Sequence, residues 1–570
     1  MVILGLNAYH GDSSAALIID GKLVYAIEEE RIRRQKHWAG LPVKSIERAL
    51  AFSGIDIDEV DYIAVSRNPT RRIIKKGLWV LSRGVNRDFL KDRAKNAGRI
   101  TGIKGSLSNY FGKSVRAKLV FVEHHTAHIY STYGVSPFEE SAILTLDGFG
   151  DFASAVLGVG KGNNVKFISE VNFPHSLGLF YTAFTQFLGF PHYGDEYKVM
   201  GLSAYGKPAF IKAMEEVMRF DPPYYRMNLR YFMHAMGGVD MTWMDGIPVI
   251  GKIYSPYTER ILGKPRNREE EITERHMDIA SSIQKRYEDI FFGLLQFLHK
   301  KTGIDNLSLA GGCIQNSLAN GKILMNSPFR HVYIPPAAHD AGTAIGAGMY
   351  VWLNLIKGRR SFVMESPYTG DHFTESEIEM ALKKHKLKYR KLDKNNITKK
   401  AVDILSRGEI LGWFQGRTEF GPRALGNRSI LVDPRRQEMK DILNRRIKKR
   451  EGFRPFAPSV PEEYASDWFN IDHKSPFMER VFPVRKEKAH LIPAVVHVDG
   501  TARVQTVNKE INPLYHKLLV EFGKKTGVPV LLNTSFNENE PIVNTPEDAI
   551  NCFLRTGMDA LIIENFLVEA

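Results

Sequence analysis

The string Glu123-His124-His125-Thr126-Ala127-His128 sets two imidazoles, His124 and His128, four residues apart. On a helix they would share one face, one turn from each other, and both could reach a single cation. The same spacing also serves buried structural histidines. Two carboxylates weigh toward the metal. Asp147 ends an apolar run, where the active-site groups of α/β folds collect, and Asp340 lies in the glycine-rich stretch AAHDAGTAIGAGMYV. Together His124, His128, Asp147 and Asp340 make a set suited to divalent iron, manganese or zinc with positions left for substrate oxygens. It does not suit copper(I) or an iron–sulfur cluster. No Glu follows the first His with a second His at metalloprotease spacing, so a zincin is not indicated.

A second constellation is LAGGCIQN, with Gly311, Gly312 and Asn316. Glycines at a strand-to-helix turn let backbone amides approach a phosphate, and Asn316 could read a ribose or an adenine edge. Cys313 has no cation beside it in sequence and reads as packing. The third is an arginine run: Arg417, Arg423, Arg428, Arg435, Arg445, Arg450 and Arg454, several set beside Gly, Pro and Phe in apolar strings. An unpaired guanidinium is costly to bury, so these side chains predict an anionic partner gripped by their planar forks. Arg503 in DGTARVQTV, and Asn533, Thr534, Ser535 and Asn537 in LLNTSFNENEPIV, add donors for a small oxyanion.

These groups need a frame. Val2 to Leu6, Ala15 to Ile19 and Lys22 to Ile27 read as strands, with Asp20-Gly21 as the tight turn between the last two. The polar loop His10 to Ser14 would present phosphate or substrate ligands. The theme returns from Ser141: a strand, a turn expected at Asp147-Gly148, a small-residue strand, then a hairpin near Lys161-Gly162. The repetition predicts a duplicated α/β fold. Residues 278–300 carry apolar positions at helical spacing, and Leu307 to Ala310 reads as a strand. Polar, turn-rich residues 358–372 predict a linker between domains 1–357 and 373–570. Residues 67–104 hold twelve Lys or Arg against Asp88 and Asp92, either a solvated face or a surface for an acidic partner.

Composition bounds the class. An apolar fraction of 43% and a charged fraction of 25% exclude disordered and fibrous chains. Two cysteines exclude a disulfide framework and fit a reducing, cytoplasmic compartment. The start lacks a basic region and cleavage site, and no apolar run is long enough to span a bilayer, so no membrane association is expected. A net charge of +14 suits nucleotides, phosphates or nucleic acid.

Taken in order, EEERIRRQKH, EHHTAH, LTLDGFGDFASA, SLGLFYTAFTQFLGF, DEYKVMGLSAYGKP, AGGCIQNSLANGKI, HDAGTAIGAG, EFGPRALGNRSIL, RPFAPSV and LNTSFN resemble the NodU/CmcH-type O-carbamoyltransferases over essentially the whole chain. Members of that family decorate nodulation factors and antibiotics. The resemblance implies an actin-like ATPase (ASKHA) domain, similar to the tRNA threonylcarbamoyl transferase, followed by a YrdC-like α/β domain. It implies formation of carbamoyl-adenylate from carbamoyl phosphate and ATP, with Mg, then transfer to a hydroxyl of a small-molecule acceptor such as a natural product or sugar. His124, His128, Asp147 and Asp340 would hold the metal, Fe(II) in the related enzymes. Arg423, Arg454, Arg503, Asn533 and Ser535 would hold carbamoyl phosphate, and Lys36, Lys198, Gly311, Gly312 and Asn316 the nucleotide. Relatives place a catalytic His directly before Asp in the first turn. This chain reads Tyr9-His10-Gly11-Asp12, so His10 stands one place early, and the base role falls to His10 with Asp12 or solvent as the alternative. The competing reading is a tRNA-modifying or RNA-binding protein of the threonylcarbamoyl-adenosine type. A phosphate-sized ligand explains the arginine motifs without nucleic acid. The acceptor is expected against residues 67–104 and 220–265, where a homodimer surface is the other use.

Overall fold

The structure, a computed structural model, describes residues 1–83, 95–236, 241–244 and 246–570. The chain divides into two compact units, Met1–Met364 and Glu365–Ala570, so the division falls inside the 358–372 segment.

In the first unit, strands β1 (Val2–Asn7), β2 (Ser14–Ile19), β3 (Lys22–Glu28), β4 (Tyr62–Val65) and β5 (Lys118–Phe121) form a sheet of order β3-β2-β1-β4-β5. β1 to β3 are an antiparallel meander, and β4 and β5 add in parallel. The β2–β3 turn falls on Asp20 and Gly21, both at positive φ, as a tight hairpin of right-handed strands requires.

A second sheet contains β6 (Glu140–Gly150), β7 (Ala153–Lys161), β8 (Asn164–Asn172), β9 (Asn306–Ala310) and β10 (His331–Tyr333). Its order, β8-β7-β6-β9-β10, and its strand directions repeat those of the first. The expected turn at Asp147-Gly148 is misplaced. β6 runs through both residues with a register shift between Leu146 and Gly150, and the turn sits on Asp151 (φ +48°) and Phe152 (φ +75°).

Three helices position the site. α1 (His124–Thr132) packs on β6 and β9, and α3 (Thr343–Tyr350) packs on β1, β2 and β4 and against α1. The approach is close enough to exclude a side chain. A Cβ on Gly5 would stand 1.9 Å from the Ala344 carbonyl oxygen, and one on Gly346 only 1.8 Å from that of Ala127. This is the physical reason for the small-residue run after Asp340. Between them in sequence, α2 (Glu274–Thr302) buries Ile279, Ile283, Ile290, Leu294 and Leu298 on one face and ends at Gly303, φ +66°.

The second unit is built on an eight-stranded mixed sheet. Its strands, in chain order, are β11 (Arg390–Lys391), β12 (Leu411–Phe414), β13 (Arg428–Val432), β14 (Ala457–Pro461), β15 (Gln505–Val507), β16 (Leu531–Ser535), β17 (Ala560–Ile563) and β18 (Phe566–Glu569). Across the sheet they lie in the order β11-β18-β17-β12-β13-β16-β14-β15. Alternate residues feed two cores: Phe414, Ile430, Val432, Leu532 and Leu561 on one face, Trp413, Leu431, Leu531 and Ile562 on the other. Helices cover both faces, so the unit is a layered α/β fold. Among the described residues no helix is long and apolar enough to cross a membrane.

Candidate functional site

The helix read from EHHTAH forms because Glu123 caps it, its carboxylate accepting the Thr126 amide at 2.7 Å. That cap fixes His124 and His128 on one buried face. Asp147 comes from β6 and Asp340 from the turn that opens α3. His124 Nε2 lies 3.1 Å from Asp147 Oδ2 and 3.1 Å from His128 Nε2, and His128 Nε2 lies 3.2 Å from Asp340 Oδ1. The cross distances are 3.5 and 3.8 Å, and one donor atom from each residue falls within a 4.8 Å cluster. Ligands about 2.1 Å from a shared ion stand roughly 3.0 to 3.4 Å apart, depending on the bond angle. The four donors therefore fit a divalent cation, and two imidazole nitrogens facing each other between carboxylates make sense around one.

The electrostatics agree. Burial works against a charged His128, yet its bonds to Asp147 and Asp340 raise it to about 9. Burial would likewise raise Asp147, but His124 and His128 hold its carboxyl well below the usual range. His125 is not part of the set. Burial pushes it down to about 4, and its Nδ1 shares a 2.8 Å bond with Thr145 Oγ1.

The two residues expected to be catalytic occupy different places. His10 sits at the cluster, its Nδ1 paired with Asp340 Oδ2 and its ring 5.5 Å from that of His124. Asp12, at φ +57°, pairs instead with His37 through a 2.7 Å contact. Burial opposes charge on His37, but Asp12 overrides it and lifts the imidazole to about 9. His37 went unnoticed in the sequence. Its only signal is its place beside Lys36, which is exposed. Lys198 pairs with Asp195 at 2.8 Å.

The Gly311-Gly312 turn serves the cluster directly. Gly311 takes φ +105°, and the Gly312 amide donates to Asp147 Oδ1 at 2.9 Å, leaving Oδ2 toward the imidazoles. Asn316 caps the next helix at Ala319 and exchanges two hydrogen bonds with Gln284.

In the second unit the arginine run separates into two kinds. Arg428 is wholly buried, but backbone carbonyls of Asp371, Gln415, Gly416, Asn427 and Asn544 accept its protons, and it stacks 3.6 Å over Phe414. Arg417 likewise donates to Gly370 and Thr369, and Arg435 to Asp433. For these three the protein itself supplies the partner that the sequence reading sought in a ligand.

Arg503 is different. Burial, with Arg423 and Arg450 nearby, pushes its guanidinium well below its ordinary range, and among the described residues its buried Nε has no hydrogen-bond partner. Arg454 reaches Glu451 at 3.2 Å. Asn533 donates to Ala424, Ser459 and Gln505, and its buried Oδ1 has no partner. Ser535 donates to Asn537 at 2.8 Å. Lys448, which the sequence reading missed, is buried with Nζ held by the Ser535 and Asn537 carbonyls and by Asn537 Oδ1. Of the basic stretch 67–104, Arg72 is bound to Glu123 and Glu170, and residues 84–94 lie outside the described residues, as do 237–240 and 245 of the 220–265 segment.

The profile of the carbamoyltransferase N-terminus matches residues 2–349 and that of the carbamoyltransferase C-terminus residues 402–570. Nodulation protein NolNO of Sinorhizobium fredii is 39% identical, covering 99% of this chain and 79% of its own. An uncharacterized Synechocystis protein, sll1178, is 40% identical over 99% of this chain and 96% of its own. The 3'-hydroxymethylcephem-O-carbamoyltransferase of Amycolatopsis lactamdurans is 28% identical over 99% and 98%. Among solved structures, T. kodakarensis HypF aligns over 62% of this chain and 48% of its own at 13% identity and a TM-score of 0.31, which carries no argument by itself. With both halves matched and relatives aligned end to end, the chain belongs to the carbamoyltransferase family, of the NodU/CmcH type.

Proposed function

We propose that the chain is an ATP-dependent O-carbamoyltransferase working in two stages. In the first, the unit Glu365–Ala570 takes carbamoyl phosphate, ATP and one water to carbamoyl-adenylate, pyrophosphate and inorganic phosphate. In the second, the unit Met1–Met364 transfers the carbamoyl group to a hydroxyl of a small molecule and releases AMP. The observation that carries the reading is Arg503: a half-buried guanidinium with two others nearby, its buried Nε without a hydrogen-bond partner among the described residues, calls for a multiply charged anion. Arg423, Arg454, Asn533, Ser535 and Lys448 would complete a carbamoyl phosphate site. A hydroxyl acceptor is supported by the cephem O-carbamoyltransferase relative.

The repeated five-stranded sheets support an actin-like reading of the first unit, and we read the second as YrdC-like. His124, His128, Asp147 and Asp340 would hold a divalent ion, Fe(II) in our reading, with Mg accompanying ATP. Such an ion offsets negative charge on a departing phosphate. The Gly312 amide keeps Asp147 oriented. His10, with Nδ1 fixed on Asp340, presents Nε2 as the ring atom that takes the acceptor proton.

Two measurements test this. Purified protein with ATP and carbamoyl phosphate should release pyrophosphate, and mass spectrometry of an alcohol library should show one product heavier by a single carbamoyl group. Pyrophosphate release that ignores carbamoyl phosphate would refute the activation step.

A further inference from the structure

Arg67 lies two residues past the end of β4, a parallel strand of the kind at whose ends α/β sheets place their ligand-binding groups. Both of its chain neighbours are fastened to the cation cluster. Ser66 accepts a 2.9 Å hydrogen bond from Thr343, whose hydroxyl also reaches the Asp340 carbonyl at 2.6 Å. Asn68 donates its amide to Asp151 Oδ2 at 2.8 Å, and the same oxygen receives the His124 amide at 2.9 Å. The backbone of Arg67 is thus tied on one side to the turn carrying Asp340 and on the other to the helix carrying His124.

Its side chain has no such ties. Arg67 is 9% exposed, its Nε is buried without a hydrogen-bond partner, and among the described residues it forms no ion pair. The guanidinium nonetheless lies within electrostatic reach of His10. The carboxylates at the cluster and at the cap of α1 have partners of their own: Asp340 has His10 and His128, and Glu123 has Arg72. A buried guanidinium held in place but left unmatched is costly unless an anion completes it.

We infer that Arg67 grips a phosphate oxygen of the adenylate during carbamoyl transfer. The inference rests on the two-stage reaction proposed above. In the transfer step the acceptor oxygen bonds to the carbamoyl carbon, the bond from that carbon to the phosphate oxygen breaks, and AMP leaves with the electron pair. The acceptor proton goes to His10. Charge grows on the phosphate as it departs, and the guanidinium fork matches two of its oxygens. Arg67 therefore acts in the second stage and not in the first.

The experiment compares wild type with Arg67→Met and Arg67→Lys in the full chain. Pyrophosphate release with ATP and carbamoyl phosphate reports the first stage. Carbamoylation of the best alcohol from the library screen reports the second. Loss of one charge-assisted contact predicts transfer reduced about 10- to 100-fold in Arg67→Met, with pyrophosphate release within about twofold of wild type. Arg67→Lys should fall between, and added guanidinium ion should restore part of the Arg67→Met rate. Transfer within about threefold of wild type overturns the inference, and so does equal loss of both stages in Arg67→Met and Arg67→Lys. Wild-type protein that releases no pyrophosphate sinks the two-stage reading first, and this inference with it.

Discussion

Gly346 offers a sharp test of how the fold sets the His/Asp cluster and of the ion proposed for it. A methyl group there would stand 1.8 Å from the Ala127 carbonyl oxygen, a backbone atom that no rotamer change can move aside. A carbon–oxygen contact settles near 3.3 Å, so α3 would have to retreat from α1 by about 1.5 Å. Asp340 sits at the start of α3 and His128 on α1, now 3.2 Å apart across the cluster. Metal sites tolerate roughly 0.2 Å of ligand displacement, so Gly346→Ala should lose the ion as well as about 1 to 3 kcal/mol or more of stability. Metal content by elemental analysis and thermal melting read the two effects separately. Gly105→Ala is the control, since a Cβ there meets nothing within 4 Å. It should keep its ion and gain up to about 1 kcal/mol from better helix propensity. A Gly346→Ala protein that melts with wild type and retains stoichiometric metal would refute the packing argument.

Three further outcomes follow from the same physics. Arg503→Met should raise the melting temperature of ligand-free protein, because it removes a half-buried like-charge clash with Arg423 and Arg450, while abolishing carbamoyl phosphate-dependent pyrophosphate release. Arg428→Met should do the reverse, costing about 3 kcal/mol or more in denaturant titrations by orphaning the carbonyls it satisfies. In chelator-treated protein, His128 has its pKa raised from 6.5 to about 9, so its stabilisation is complete below pH 6.5 and is lost as pH climbs through 9. The change is at most about 3 kcal/mol. Urea unfolding at pH 6 and pH 9.5 measures it, and His128→Ala should flatten the dependence.

The hairpin of β2 and β3 was legible because Asp20-Gly21 is a local signal with one meaning. The matching turn in β6 and β7 was not, since Asp147-Gly148 offers the same signal four residues too early. What moves the turn is tertiary: Asp147 must stay in the strand to receive the Gly312 amide. The four cluster residues could be picked out because two imidazoles at helical spacing and two isolated carboxylates are rare types in apolar text. The arginines were harder. Nothing in sequence separates Arg428, matched by backbone carbonyls from distant loops, from Arg503, whose buried Nε has no hydrogen-bond partner among the described residues. Lys448 and His37 escaped for the same reason, and Arg67 stood out only as one cation of the basic stretch 67–104, as their surroundings are assembled from residues far away in the chain.

The cluster also draws together the two repeats. Asp340 belongs to the helix lying on the first sheet, while His124, His128 and Asp147 belong to the second. An ion shared by all four would rivet the two halves, so they could not swing apart without letting it go. The rate at which a bound isotope swaps with bulk solution would then be a clock for how often this bivalve gapes.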